Sequence, residues 1–353
     1  MRRMMGNNLY TDDVVPQRMV RPLDFLPKFR KNGLRTKYLE LVVRGDMDGL
    51  RQLLAIHPEF LNKRANHNRT FLWEAARRGD LPLVQWLVEQ GAEIDATGCY
   101  NSESFVQLTP FCAAIYYKRT AVAEYLRSRG TQIDVFRAAF LGDIRQVSKE
   151  LAANPELIHE EDPQDNLYYV PLLSFAVVGG SIEMLGFLLD RGAVIGPYSA
   201  QLLGLAAKDK RKDILEFLVN HNAQVPAAGY YFFNTYDLDI LRYLLDHGAS
   251  AKQAGENGFT PLIYHCRGDK GEHPEKIRLL LEYQAPVNDI GPKGRTALHY
   301  AAAAGFLEVM TVLLDHGADF TIRDDAGETP LQLAGRYKKY AAVDLLKNRG
   351  ATQ

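Results

Sequence analysis

The chain has 353 residues, 46% of them hydrophobic and 24% charged, which excludes wholesale disorder and collagen-like sequence. Its 42 Lys and Arg stand against 43 Asp and Glu, a net charge of −1, without the basic excess of a nucleic-acid binder. No uninterrupted apolar run of about 18 residues predicts a membrane span, and three cysteines (Cys99, Cys112 and Cys266) are too few for a disulfide framework, which points to a reducing, cytoplasmic setting.

In chain order, residues 1–35 come first. Met1-Arg2-Arg3 is basic but no apolar stretch follows it, so it does not read as a secretory signal. Arg18, Arg21, Lys28, Arg30 and Lys31 continue the positive charge, and Pro16, Pro22 and Pro27 interrupt any period. This segment is expected to be a flexible or extended basic arm, a solubilising tail in preference to a docking arm.

From residue 36 the chain repeats. Each unit closes on Gly-Ala or a degenerate copy: Gly91-Ala92, Gly130-Thr131, Gly192-Ala193, Asn222-Ala223, Gly248-Ala249, Gln284-Ala285, Gly317-Ala318 and Gly350-Ala351. Thr70, Thr109, Thr296 and Thr329 each stand 21 residues before such a glycine. Thr is a good N-cap, Pro110, Pro261 and Pro330 suit the first helical position, and Thr329 with Gln332 predicts a capping box. Apolar residues at helical spacing follow, as in Val84, Leu87 and Val88 or Val309, Val312 and Leu313. Pairs such as Ala75-Ala76, Ala206-Ala207 and Ala301-Ala302 let neighbouring helices approach closely.

The openings Thr296-Ala297-Leu298-His299-Tyr300-Ala301, Thr329-Pro330-Leu331-Gln332-Leu333-Ala334, Thr260-Pro261-Leu262, Thr109-Pro110-Phe111 and Thr70-Phe71-Leu72 resemble the ankyrin repeat, a turn and two helices in about 33 residues. The resemblance implies an all-α solenoid over residues 36–351 with about ten helix-turn-helix units and degenerate middle ones. They open near Thr36, Thr70, Thr109, Ile133, Val170, Gln201, Ala227, Thr260, Thr296 and Thr329. The fourth unit follows Gly130 too closely for a full turn between the two units. Extra residues form a finger near Gly98–Val106 and a smaller insertion near Gly268–Pro274, on which function and tolerated drift weigh equally.

Little in the chain suggests catalysis. His265-Cys266 with His273 lacks a zinc pair. Gly291-Pro292-Lys293-Gly294-Arg295-Thr296 lacks phosphate-loop spacing. Cys112 has no base beside it, and His299 reads as a structural hydrogen-bonder. No enzyme activity, cofactor, metal or small-molecule substrate is expected.

The resemblance further implies recognition on the concave side, at the turn tips and the exposed ends of the first helices. Down the stack those ends read Val43 and Arg44, Arg77 and Arg78, Tyr116 and Tyr117, Phe140 and Leu141, Val177 and Val178, and Lys208 and Asp209. Six apolar or aromatic residues in a row, flanked by cations, predict a protein-binding patch. Tyr168 and Tyr169 add turn-tip contacts. The expected function is a non-catalytic interaction module or adaptor gripping a partner protein there. The alternative is an immunity-type inhibitor that blocks an enzyme through the acidic run Glu160-Glu161-Asp162 and Asp165. A small-ligand or nucleic-acid binder is a third, weaker reading.

Overall fold

A computed structural model describes residues 40–100, 106–163, 170–227, 235, 237–255, 257–268 and 271–352. The predicted arm 1–35, Thr36, Tyr168, Tyr169 and Asp165 lie outside the described residues, as does most of the stretch around the predicted seventh first helix.

Short helices pair into hairpins along the chain. A helical segment over 40–44 pairs with α1 (Met47–Ile56). Then come α2 (Phe71–Arg78) with α3 (Leu81–Glu89), α4 (Pro110–Tyr116) with α5 (Thr120–Ser128), α6 (Val135–Leu141) with α7 (Ile144–Ala153), and α8 (Leu172–Gly179) with α9 (Ile182–Asp190). The sixth pair is α10 (Ser199–Lys208) with α11 (Lys212–Asn220), and α12 (Leu238–Asp246) is the second helix of the seventh. The last three are α13 (Pro261–His265) with α14 (Pro274–Glu282), α15 (Ala297–Ala304) with α16 (Leu307–Asp315), and α17 (Pro330–Arg336) with α18 (Tyr340–Asn348). First helices stack on first helices (α2 on α4, α6 on α8, α15 on α17), and second helices likewise (α3 on α5, α14 on α16, α16 on α18).

Local chemistry explains each hairpin. The Thr70 and Thr109 hydroxyls accept from the Trp73 and Cys112 amides, both at 3.2 Å, and start α2 and α4. Thr329 and Gln332 form the predicted capping box. Where no Thr is present, Asp134 caps α6, accepting from the Arg137 amide at 2.8 Å. That helix begins two residues after Ile133, and α10 begins at Ser199, two before Gln201. Second helices take their own caps: Asp46, Asp80 and Asp143 accept from the amides of Gly49, Leu83 and Gln146 at 2.8, 3.1 and 3.0 Å.

Between the two helices of a unit the chain needs one left-handed residue. Gly79 supplies it with φ +81°, and a Cβ there would meet Arg119 Cδ at 2.8 Å. The glycine therefore serves conformation and also seats a basic side chain from the next unit, whose Nε donates to the Arg77 carbonyl at 3.0 Å.

The apolar faces merge into one core running from Leu41 to Ala351. No unit could bury its face alone, and stacking does so. Ala75, Ala76, Ala206, Ala207, Ala301 and Ala302 are all sealed between units, and Cys266 takes the same place. The only strands among the described residues are β1 (Gly98–Cys99) and β2 (Gln107–Leu108). They pair antiparallel, with Gly98 opposite Leu108 and Cys99 opposite Gln107, and form the base of the predicted finger.

Candidate protein-binding face

The finger's base is tied down by the two units beside it. Trp73 Nε1 donates to the Leu108 carbonyl at 2.7 Å, and Asn68 Nδ2 to Gln107 Oε1 at 2.7 Å. Arg69 Nε donates to the Cys99 carbonyl at 2.8 Å, and its Nη2 to the Tyr100 carbonyl at 3.2 Å. From the fourth unit, Arg137 Nη2 donates to the Gln107 carbonyl at 2.9 Å. The two strands at the base of the insertion are thus braced on both sides.

That brace sends Tyr100 inward, where it is completely buried. Its hydroxyl donates to Asp209 Oδ2 at 3.3 Å, and the Tyr116 hydroxyl donates to Asp209 Oδ1 at 2.8 Å. Asp209 ends the first helix of the sixth unit, whereas Tyr116 ends that of the third. The concave side therefore closes on itself across the fourth and fifth units. The Tyr100 and Tyr116 rings meet edge to face at 4.9 Å, as do those of Tyr116 and Tyr117. The Tyr117 hydroxyl donates to the Tyr100 carbonyl, so the polar ends of all three tyrosines are satisfied internally.

Burial dominates the acid–base character of this clasp. It pushes the Asp209 carboxyl above its ordinary range, against the two tyrosine hydrogen bonds and the nearby Lys208 and Arg211 charges. Burial also raises the Tyr116 phenol, helped by the Asp209 charge. Tyr117 is raised by burial and partly restored by Arg69 and Arg77. Glu74, almost completely buried, accepts from Arg77 Nε at 3.0 Å on both oxygens and lies 3.6 Å from Arg69. The Arg77 guanidinium in turn sits 5.6 Å over the Tyr117 ring. One network thus runs from Arg69 and Glu74 through Arg77, Tyr117 and Tyr116 to Asp209.

The clasp corrects the predicted apolar row. Phe140, Val177 and Val178 are 3%, 1% and 5% exposed and belong to the core, so they present nothing to a partner. Gly180 is the left-handed residue of its unit, as Gly79 is of the second, so Val178 takes the place of Arg77 and Val177 that of the buried Ala76, one step deeper than the predicted register, while Phe140 lies against the close-packed α8. Tyr116, Tyr117 and Leu141 pack against that core half-buried. Arg44 and Arg78 are exposed, while Arg77 and Lys208 are half-exposed. Of the two ends of the closure, Asp209 is the helix end beside Lys208, and Tyr100 stands outside the predicted row. The finger's extra length was the one signal in the sequence that pointed to Tyr100.

The acidic run is not a free anionic strip either. Asp162 is buried, accepting from Arg137 Nη1 at 3.1 Å and Nη2 at 3.0 Å, and Glu161 accepts from the Tyr198 hydroxyl at 3.1 Å. Glu160 is exposed. The insertion near Gly268–Pro274 has a structural task. Glu272 Oε1 accepts from the amides of Glu308 and Val309 at 2.7 and 3.0 Å, capping α16, whose own N-cap residue Phe306 has no side chain able to do so.

The polar residues weighed for chemistry sit in structural places. Burial pushes the Cys112 thiol up to about 12 and raises that of Cys266 as well, so neither is a thiolate at neutral pH. His299 is buried, its Nδ1 accepting from the Thr296 amide at 3.2 Å and its Nε2 lying 3.1 Å from the Glu328 carbonyl. This fits the tautomer protonated on Nε2, and burial lowers its pKa. Among the described residues no helix is long and apolar enough to cross a membrane.

A family model of ankyrin repeats, in three copies, matches residues 40–137, 227–324 and 270–353, well over half the chain. The chain is similar to an ankyrin repeat protein of Acanthamoeba polyphaga mimivirus, 30% identical over 186 residues, covering 50% of this chain and 25% of that one. It is similar to the ankyrin repeat protein nuc-2 of Neurospora crassa, 27% identical over 307 residues, covering 79% and 28%. It also resembles the palmitoyltransferase ZDHHC13 of Homo sapiens, 27% identical over 226 residues, covering 61% and 35%. It spans about a third or less of the length of these relatives. With the stacked hairpins, the Thr caps and the matched model in agreement, the chain belongs to the ankyrin-repeat family.

Proposed function

We propose that this chain is a non-catalytic protein-binding module or adaptor, with the partner docking on the concave side around Arg77, Arg78, Tyr116, Tyr117 and Leu141, and with Arg44 and Lys208 at its rim. Ankyrin repeats generally mediate protein–protein interaction, which supports the class of function. The observation that carries the place is the half-exposed pair Tyr116 and Tyr117 beside Arg77, with their hydroxyls already committed inside the protein. Such tyrosines offer ring surface at low entropic cost beside a guanidinium, the combination enriched in interface hot spots. The arm 1–35 belongs to this reading as a solubilising extension. The inhibitor alternative has less behind it, since the acidic run is largely engaged within the fold.

The test is capture of a partner from native extract by the full chain and by Tyr117→Ala, Leu141→Ala and the double variant, with thermal midpoints on the same samples. Capture is expected to fall in the single variants and vanish in the double one, with little change in midpoint. Undiminished capture by the double variant would end this reading.

A further inference from the structure

The clasp gathers cations as well as tyrosines. Lys118 directly follows Tyr117, and Lys210 directly follows Asp209, so the Tyr116–Asp209 bond leaves one lysine beside each end of the clasp. Arg119 reaches the Arg77 carbonyl on one side, and Arg211 Nη2 donates to the Gly180 carbonyl at 2.9 Å on the other. Arg78, Lys118, Arg119 and Lys210 are all exposed, and none makes an ion pair among the described residues. The nearest acids are occupied. Glu74 is buried between Arg69 and Arg77, Asp209 is held by two tyrosines, and Asp213 pairs with Arg211 at 2.7 Å.

Two of these cations occupy a costly backbone position. The residue between the two helices of a unit is left-handed, and Gly45, Gly79, Gly142, Gly180 and Gly305 fill it elsewhere. Lys118 and Lys210 take it here with φ of +59° and +57°, and Lys338 takes it in the last unit with φ of +57°. An L-residue in that region is strained relative to glycine, so glycine is tolerated there without loss.

We infer that Arg78, Lys118, Arg119 and Lys210 form the docking site for an acidic segment of the partner protein. This rests on the reading of the chain as a protein-binding module and adds the chemistry of what it takes. The cations would meet carboxylates while the Tyr116 and Tyr117 rings pack against the segment's apolar atoms. Lys118 and Lys210 lie on opposite sides of the clasp, so the site spans it and suits an extended chain better than a single ion.

The substitutions Lys118→Gly and Lys210→Gly test this without a folding ambiguity, because glycine relieves the strain. The probes are a fluorescein-labelled peptide of alternating Glu and Ser, its Gln-for-Glu counterpart and a labelled single-stranded oligonucleotide, read by anisotropy against the full chain. The Glu peptide binds and weakens with salt, the Gln peptide does not bind, and the double glycine variant weakens binding about tenfold while raising the thermal midpoint. No Glu-peptide binding, unchanged affinity in the variant, or equally tight oligonucleotide binding lost in the same variant would each overturn the inference. If Tyr117→Ala with Leu141→Ala abolishes partner capture but the glycine pair leaves it intact, the concave-side reading stands and the acidic-segment inference falls.

Discussion

The Tyr116 hydroxyl donates to Asp209 Oδ1 at 2.8 Å across 93 residues of sequence, joining the third unit to the sixth. Consecutive ankyrin units touch their neighbours; this bond skips two of them. It turns a stretch of the stack into a closed loop, so the carboxylate carries a mechanical role at an electrostatic cost.

That cost predicts a pH dependence. Unfolded, the Asp209 carboxyl ionises near the ordinary aspartate value of about 3.9. Folded, burial raises it, so between the two values the folded chain binds more protons than the unfolded one. Stability from this group is therefore greatest in acid and declines as pH rises through the raised value. Asp209→Asn should flatten that part of the profile and raise the midpoint at neutral pH relative to the parent. Thermal melts from pH 4 to pH 8 check it, and parallel profiles for the two proteins would refute the assignment.

Phe140 separates core from surface. At 3% exposure, Phe140→Ala should cost about 3–5 kcal/mol through lost burial and a cavity. A surface residue at the same register position would lose less than about 0.5 kcal/mol. Chemical denaturation of the variant decides between the two.

Glu272 caps a helix in the unit after its own. Glu272→Ala should cost about 1 kcal/mol, the usual price of a lost N-cap. The loss should be local, so hydrogen exchange at the Glu308 and Val309 amides should accelerate while the first turn of α3, capped by Asp80, is unchanged.

Arg137 is a buried cation held by Asp134, Asp162 and the Gln107 carbonyl. Arg137→Met removes the guanidinium that donates to Asp162, Asp134 and the Gln107 carbonyl and should cost about 3–5 kcal/mol. Asp162→Leu in the Arg137→Met background should cost less than Asp162→Leu alone, because the guanidinium that pairs with Asp162 is already gone. A double-mutant cycle from denaturation midpoints measures the coupling, and simple additivity would show that the two groups act independently.

The units and their boundaries were legible because their causes are local. Thr70, Thr109 and Thr329 cap helices that begin at the next residue, and the closing glycines stand where the chain must turn left-handed. Where Thr is missing, at Asp134 and Ser199, the reading slipped by two residues, since several side chains can start a helix and the sequence does not say which will.

What the sequence determined by itself was the repeat: a hairpin of two short helices, copied along the chain, with apolar faces that only stacking can bury. What the tertiary structure decided was which concave residues remain open. Phe140 and Val178 share a register with Arg77 and Tyr116, two residues before the left-handed residue of each unit, yet they are sealed while the latter are half-exposed. Register describes one unit, whereas burial depends on how neighbouring units pack and on contacts such as those of Tyr100 and Tyr116 with Asp209, which join units far apart in the chain. A hydrogen bond between residues so far apart has no local signature, so its consequences for the binding face emerge only once the stack is assembled.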